Sequence, residues 1–275
     1  MLKQKGFSLI ELMVASVIGI VLLAGVTNLL ITTNRTVSLS DGVAQNQETG
    51  RFAMAYLSKH LREAGYNPDF IAFTPPLLIT SGDIDCTASP INDACAVNNL
   101  SSRGDRIAVV FTLVDGESAR SCAGTDLVAD AATGTRRFAT VFGVNSNPLS
   151  TSEKDLQCGT FDIDNNTWID SNISILSNVE AFDFLVGLAA SADSKSTSRY
   201  VTVDQVTDNN LIRSIRIAIL TTSQDQGDKN KVQSELSTRK YALLDSDYEF
   251  TDGQLRNIFS NTIELPNSIE AAGLN

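Results

Sequence analysis

The sequence predicts an α+β protein: a long N-terminal α-helix packed on a mostly antiparallel, β-rich globular head. Three observations predict it. Residues 12–34 carry no charged side chain and form one apolar run. Residues 35–64 contain no proline and place apolar residues at helical spacing. From Asp69 onward the pattern changes to short apolar runs cut by turn residues, as strands require.

The apolar run comes first. Lys3 and Lys5 precede it, Gly6-Phe7 joins a small residue to an aromatic, and Glu11 is its one carboxylate. At ~1.5 Å per residue, residues 12–34 make a helix of roughly 35 Å, longer than the ~30 Å hydrocarbon core of a bilayer. An ordinary secretory signal would be shorter and would end on a small-x-small cut site, whereas this run ends in Thr32-Thr33-Asn34-Arg35. A plain anchor, oriented by Lys3 and Lys5, explains everything except Glu11. A charge inside a membrane helix costs ~2.5–3.5 kcal/mol at mid-bilayer and needs a partner or a function. Cleavage between Gly6 and Phe7 would supply that partner. Phe7 would then carry a positive α-amine about one helical turn from Glu11, and a helix N-terminus favours negative charge.

These residues resemble the class III signal of type IV prepilins and pseudopilins. The pattern is a short basic leader, then Gly6, Phe7, Ser8-Leu9-Ile10 and Glu11 at the fifth mature position. The resemblance implies that a prepilin peptidase cuts after Gly6 and methylates the Phe7 amine. It also implies a single pass of the bacterial inner membrane, N-terminus cytoplasmic and head periplasmic, followed by entry into a pilus at the cell surface. In the filament Glu11 would neutralise the Phe7 amine of an adjacent subunit. The expected segments are a leader at 1–6, a transmembrane and filament-core helix at 7–34, an amphipathic helix at 35–68 and the head at 69–275. The helix-kinking proline common in the family is missing, and Asn28 and Thr32-Thr33-Asn34 are the nearest weak points. Ala15 and Gly19 make a small-x-x-x-small step of the kind that lets helices approach closely, although small residues are also routine in membrane spans.

Past Asn34 the helix turns amphipathic. Ala53, Leu57, Leu61 and Ala64 fall at i, i+4, i+8 and i+11, with Phe52 and Tyr56 widening the face. Gly65 and Pro68 provide a stop. One helix is therefore expected from about Phe7 to Ala64, with Asp41-Gly42 as the candidate interruption.

All four cysteines, Cys86, Cys95, Cys122 and Cys158, lie beyond the membrane helix. An even count on the side that translocation places in an oxidising compartment reads as two disulfides. Three pairings are open. Cys86–Cys95 with Cys122–Cys158 is favoured, because the first pair brackets one short loop and the second could tie two strands across a turn-rich segment.

Within the head, 71–73 and 77–80 are brief strand candidates, and 81–104 reads as a loop stapled by its cysteines. Arg106–Leu113 is the clearest strand. Others are Arg137–Val144, Gly159–Ile163, Asn178–Leu188, Arg199–Val203, Leu211–Thr221 and Tyr248–Phe250. Ile215, Ile217 and Ile219 alternate with Arg216 and Ala218, the pattern of a one-sided strand. Residues 188–198 are small and polar, as in a surface loop.

Several head segments resemble large minor pilins of the PilW type. They are Ser102–Val109, the Cys122…Cys158 pair, Ser177–Phe182, Ile212–Ile217, the His60–Tyr66 step and the ending 255–267. Pro266 stands where that group commonly shows a basic residue. This resemblance implies a minor pilin that helps initiate pilus assembly and sits at or near the tip. Its partners would be prepilin peptidase, other minor pilins, the major pilin, and an adhesin as a candidate at the tip. Twitching motility and adhesion are the associated functions. J-type pseudopilins of type II secretion are close relatives and form the alternative reading. A membrane-anchored periplasmic binding module is the alternative from another class.

Composition excludes several functions. The formal charge of −11 becomes −13 once Lys3 and Lys5 leave with the leader, which argues against nucleic-acid binding. The single histidine, His60, falls beside the helix face of Leu57 and Leu61, where a packing role outweighs catalysis or metal binding. No nucleophile elbow, phosphate loop or zinc motif is present, so neither enzyme activity nor a cofactor is expected. Asp162-Ile163-Asp164-Asn165-Asn166, with Asp170 beyond, has the alternation of a calcium loop. It lacks the turn glycine and the closing glutamate and reads as a hairpin turn. Asp225–Asp228 is a weaker case of the same kind.

Overall fold

A computed structural model of the chain describes residues 8–68, 73–80, 84–101, 103–144, 154–223, 238–252 and 254–271. The chain divides into two compact units, Met1–Gln45 and Asn46–Asn275. The division falls inside the long helix α1 (Leu9–Leu61), and each unit is described by itself.

In the first unit α1 shows no break at Asp41-Gly42 or at the Thr32-Thr33-Asn34 patch, contrary to expectation. One glycine costs a helix only ~1 kcal/mol relative to alanine, and propagation from both sides outweighs it. The threonines are accommodated by back-bonding. Thr32, Thr33 and Thr36 donate to the carbonyls of Asn28, Leu29 and Thr32 at 2.9, 2.9 and 3.0 Å.

The second unit begins with the rest of α1. Ala53, Leu57, Leu61 and Ala64 are fully buried, as the stripe predicted. Phe52 is 49% exposed and does not widen the buried face; Tyr56 does. The helix closes at Leu61, short of Ala64. Gly65 then takes φ +75° and donates its N–H to Val110 O at 2.8 Å. That φ is the left-handed conformation in which glycine ends helices.

The head strands are β1 (Val97–Ser101), β2 (Gly104–Val114), β3 (Ser118–Arg120), β4 (Asp126–Val128), β5 (Thr135–Val144), β6 (Asp155–Asp162) and β7 (Thr167–Ser177). They continue with β8 (Val179–Leu188), β9 (Arg199–Val201), β10 (Ile212–Thr222), β11 (Arg239–Leu243), β12 (Ser246–Phe250) and β13 (Arg256–Glu264). A short helix, α2 (Pro266–Ala271), follows. The main sheet runs β13-β10-β8-β2-β5-β6-β7, with β1 on β2 and β9 on β8. Every pairing is antiparallel except β2 with β8, which meet in parallel at Gly104 and Phe182.

One sheet face receives α1. Phe142 on β5 meets the rings of Tyr56 and His60 at centroid distances of 6.1 and 5.7 Å. Ser58 Oγ accepts from the Asn261 amide on β13 at 3.1 Å. Gly50 sits on the Phe259 ring, with no room for a β-carbon.

The β10 expectation needs correction. Ile215, Ile217 and Ile219 are buried, but so are Ala218 and Leu220 on the other face. The β11–β12 hairpin covers them, packing Leu243 and Tyr248 against Ala181, Ala218 and Leu220. Sequence patterning could not show this, because alanine at 218 is compatible with either environment.

Besides the hairpin strand β11, four strands were not anticipated outside the stapled loop: β7, β13 and the short β3 and β4. Both β7 and β13 are sheet edges, so one side of each is solvent-facing and their apolar alternation is weak. Three further differences concern β1, β11 and α2. The stapled loop 81–104 contains β1, which folds back on β2. The hairpin partner β11 pairs with the anticipated β12, and α2 starts at Pro266, where proline suits a first helical position. Of the brief candidates, Leu77 makes only an isolated bridge to Val109, and Ile71-Ala72 lies outside the described residues.

Cys86 pairs with Cys95 and Cys122 with Cys158, at Cα separations of 6.0 and 5.9 Å. The second bridge ties the β3–β4 turn, not a strand, to β6. Of the expected surface loop 188–198, Leu188 ends β8 and is buried with Ala189, while 190–198 is largely exposed and pinned from beneath. Buried Arg213 donates to the carbonyls of Ala192, Ser194, Asn210 and Ile212 at 2.6, 2.8, 2.6 and 2.9 Å.

The Gly50 contact leads to a stability prediction. Gly50→Val should destabilise the head by about 1–3 kcal/mol through overpacking. Combining it with Phe259→Ala should recover most of that loss in a double-mutant cycle read by denaturant unfolding of the full chain in detergent. Additive losses would show that the contact is not what fixes the glycine.

Candidate assembly helix and buried charges of the head

Gly6 and Phe7, the predicted cleavage and methylation positions, lie outside the described residues. The description starts one residue later. Ser8 opens α1, its carbonyl accepting the N–H groups of Glu11 and Leu12 at 3.0 and 3.2 Å. Glu11 Oε2 in return accepts the Ser8 N–H at 3.4 Å. Ser8-Leu9-Ile10-Glu11 is therefore also a Ser-x-x-Glu capping pattern, with the glutamate half formed. That signal was present in the sequence, which was read only for the partner Glu11 would find on Phe7. The carboxylate is exposed, held by its own chain and favoured by the helix N-terminus.

Between Leu12 and Asn34 the helix has no charged face. An 18-residue window of α1 has a mean hydropathy of 2.5, and none of it is buried within the chain. Leu12, Val17, Val21, Leu22 and Leu29 are all more than half exposed. Each such side chain forgoes about 1.5–3 kcal/mol of burial while it faces water. A helix apolar all round belongs inside lipid or among other apolar helices. Glu11, Ala15 and Gly19 are spaced i, i+4, i+8 and share one face. A β-carbon at Gly19 would meet nothing within 4 Å, so the backbone is open to a neighbouring helix.

The other candidates resolve into structural roles. His60 packs its ring against Tyr56 and Phe142 and lies 3.4 Å from Glu63. In the 162–166 turn, Asp162 pairs with Arg136 and accepts the Asn165 side-chain amide at 2.8 Å. Asp164 pairs with Arg137 at 2.8 Å. Asp170 accepts the N–H groups of Thr160 and Ala123 at 2.9 and 3.0 Å. Two arginines therefore occupy the carboxylates that calcium would need, and the segment is a β6–β7 hairpin turn. Among the described residues no group of three or more His, Cys, Asp or Glu could hold a metal. The Asp225–Asp228 turn lies outside the described residues.

Sequence reading missed two buried polar centres, because their members are far apart in the chain. In the first, Glu180 on β8 is fully buried between Lys154 and Arg256. Arg256 also donates to Asp252 at 2.7 Å and stacks 3.8 Å from the Phe250 ring. The Arg256 hydrogen bond holds the Asp252 carboxyl down at about 2.

The second centre docks the hairpin. Asp183 Oδ1 accepts the Tyr248 hydroxyl at 2.6 Å, while its Oδ2 has no hydrogen-bond partner. Neighbouring Asp105 accepts the N–H groups of Asn99 and Phe184 at 2.7 and 3.0 Å. Burial pushes Asp183 up to about 7, with the charges of Asp105 and Asp245 adding to the rise, and Asp105 up to about 6, with those of Asp245 and Asp204 adding. Burial and the Asp183 bond raise Tyr248 too, so its phenol stays the donor.

These shifts have a definite sign. Between the ordinary carboxylate pKa near ~4 and about 7, the folded head holds protons that the unfolded chain has released. Stability therefore falls as pH rises through that window and levels off above it. Denaturant midpoints should be higher near about pH 5 than near about pH 8. Asp183→Asn, which keeps an acceptor for Tyr248 without the charge, should remove most of the difference. A midpoint that rises across this window would contradict the assignment.

Comparison with known proteins agrees with both ends of the chain. Residues 141–267 match the family model described as Type IV Pilus-assembly protein W. Residues 1–27 match the Prokaryotic N-terminal methylation motif. Among solved structures, a type IV-like pilin from Thermus thermophilus aligns at 15% identity over 84% of this chain and 96% of that chain, with a TM-score of 0.44. A search of curated proteins found no match. A methylation motif on an exposed apolar helix and a PilW segment across most of the main sheet identify the chain as a type IV minor pilin of the PilW type.

Proposed function

We propose that this minor pilin helps to prime pilus growth and stays at or near the tip of the filament it starts. The observation that carries the reading is the first half of α1: apolar on every side, uncovered, and charged only at Glu11 in its first turn. Such a helix is stable in two surroundings, a bilayer and a bundle of like helices, and assembly is the transfer between them. Prepilin peptidase would free the Phe7 amine by cutting after Gly6 and would methylate it. In the membrane, with a cytoplasmic N-terminus and a periplasmic head, Glu11 has its local Ser8 donor. In the filament it would exchange that long hydrogen bond for the Phe7 amine of an adjacent subunit. Away from water, removing one member of such a pair costs on the order of 3–5 kcal/mol, enough to reject a subunit lacking it.

The head supports the qualifier. Its sheet carries a disulfide-tied turn, a loop pinned by Arg213 and a docked hairpin, giving a large and irregular surface. Such a surface suits a unit used a few times per filament better than one repeated along a shaft. The partners proposed are other minor pilins and the major pilin.

Two measurements test this reading. Glu11→Val should leave membrane insertion and Gly6–Phe7 cleavage intact and lower recovery in sheared pili at least ~tenfold, the effect of losing a few kcal/mol. Incorporation equal to wild type would overturn the role of Glu11. Quantitative immunoblotting of sheared pili should find this protein far below the main subunit. Near-equal amounts would overturn placement at the tip.

A further inference from the structure

The sheet face turned away from α1 holds a cleft. Strand alternation places three rows on that face: Arg106–Gly143–Gln157, Ala108–Val141–Gly159 and Val110–Ala139–Phe161–Trp168. Over Arg106, Val141, Gly143, Gln157, Gly159 and Trp168 of these rows opens a hollow of about 480 Å³, within the range of small-molecule sites.

Its floor is low because two residues are glycine. A β-carbon on Gly159 would lie 2.7 Å from the Trp168 ring and 3.2 Å from the Asp170 carbonyl. On Gly143 it would lie 3.4 Å from the Asp105 carbonyl. Trp168 is half-buried and braced edge-on by Phe161 at 5.2 Å, so it forms a fixed wall. Gln157 brings a carboxamide whose Oε1 is buried and has no hydrogen-bond partner. Such an atom calls for a donor. Ser171 and Asn172 are exposed on the β7 side of the rim.

Charge narrows the ligand. Arg106 donates through Nε and Nη2 to the carbonyls of Cys95 and Asn92 at 2.8 and 2.7 Å, and the nearby Asp93 offsets its charge. The lining therefore holds one cation, Arg106, and one carboxylate, Asp93, whose charges offset each other. A rigid indole beside an apolar floor, facing carboxamide and hydroxyl groups, suits a flat neutral molecule with one apolar face and a hydroxylated edge.

We propose that this cleft binds a neutral pyranose unit of a glycan, stacked on Trp168 and hydrogen-bonded by Gln157, Ser171 and Asn172. The site does not depend on where in a pilus the subunit sits.

Trp168 is the one tryptophan in the chain, so intrinsic fluorescence reports on this cleft. The full-length protein in a sugar-free zwitterionic detergent would be titrated with N-acetylglucosamine and with methyl β-galactopyranoside. A saturable change with Kd of about 1 mM is expected for at least one of them. Gln157→Ala should weaken it roughly tenfold, the effect of one lost hydrogen bond. Should Gln157→Ala fail to fold, Ser171→Ala on the exposed edge strand is expected to weaken binding in the same direction. Trp168→Phe, followed by saturation-transfer NMR on the sugar, should lose the signal. No saturable response to either sugar overturns the proposal, as does full binding by folded Gln157→Ala and Trp168→Phe variants. Saturation by N-acetylneuraminic acid or by an unrelated peptide alone would overturn the neutral-sugar assignment.

Discussion

The governing constraint is the apolar surface of α1 between Leu12 and Ile31, which is left exposed among the described residues. Hydrophobic side chains on all sides of α1 between Leu12 and Ile31 leave water as the worst available surroundings. Lipid and sister helices are the two remedies. Glu11 gives this otherwise greasy segment a polarity. It sits in the first turn, where the helix itself favours a carboxylate, and it satisfies an end N–H of its own chain. A charge placed there is tolerable in a membrane and selective in a bundle.

The later part of the helix meets different physics. From Asn46 onward it belongs to the head, and its buried stripe of Ala53, Leu57 and Leu61 lies on the sheet face built around Phe142 and the β10 isoleucines. Gly50 allows the helix to rest on Phe259, and Asn46 bonds Thr221 in a buried contact. The head therefore uses α1 as a structural layer, which gives a single helix two unrelated tasks along its length.

Polar groups, not only apolar ones, position the outer parts of the head. Arg213 collects four backbone carbonyls and so shapes a loop with few apolar residues of its own. Glu180 gathers Lys154 and Arg256, 26 and 76 positions away in the chain. Asp183 and Tyr248 seat the β11–β12 hairpin on the second sheet face. Buried polar contacts of this kind are directional, so they choose one arrangement where apolar packing alone would accept several.

The sequence by itself determined the features that are local. A charge-free run, one carboxylate at a set distance from Gly6-Phe7, the Ala53–Ala64 stripe and the strand runs at β2, β5, β8 and β10 are all visible in consecutive residues, because helix and strand periodicity is a short-range property. Only the tertiary structure decided the rest. It showed that β10 is buried on both faces, that β7 and β13 are strands despite weak patterning, and that α1 runs unbroken past Gly42. It also assembled the Glu180, Asp183 and Trp168 centres from residues far apart in the chain, Glu180 and Arg256 alone being 76 positions apart. Edge pairing, second-face burial and ion-pair choice depend on which segments meet in space, and no stretch of sequence carries that information alone.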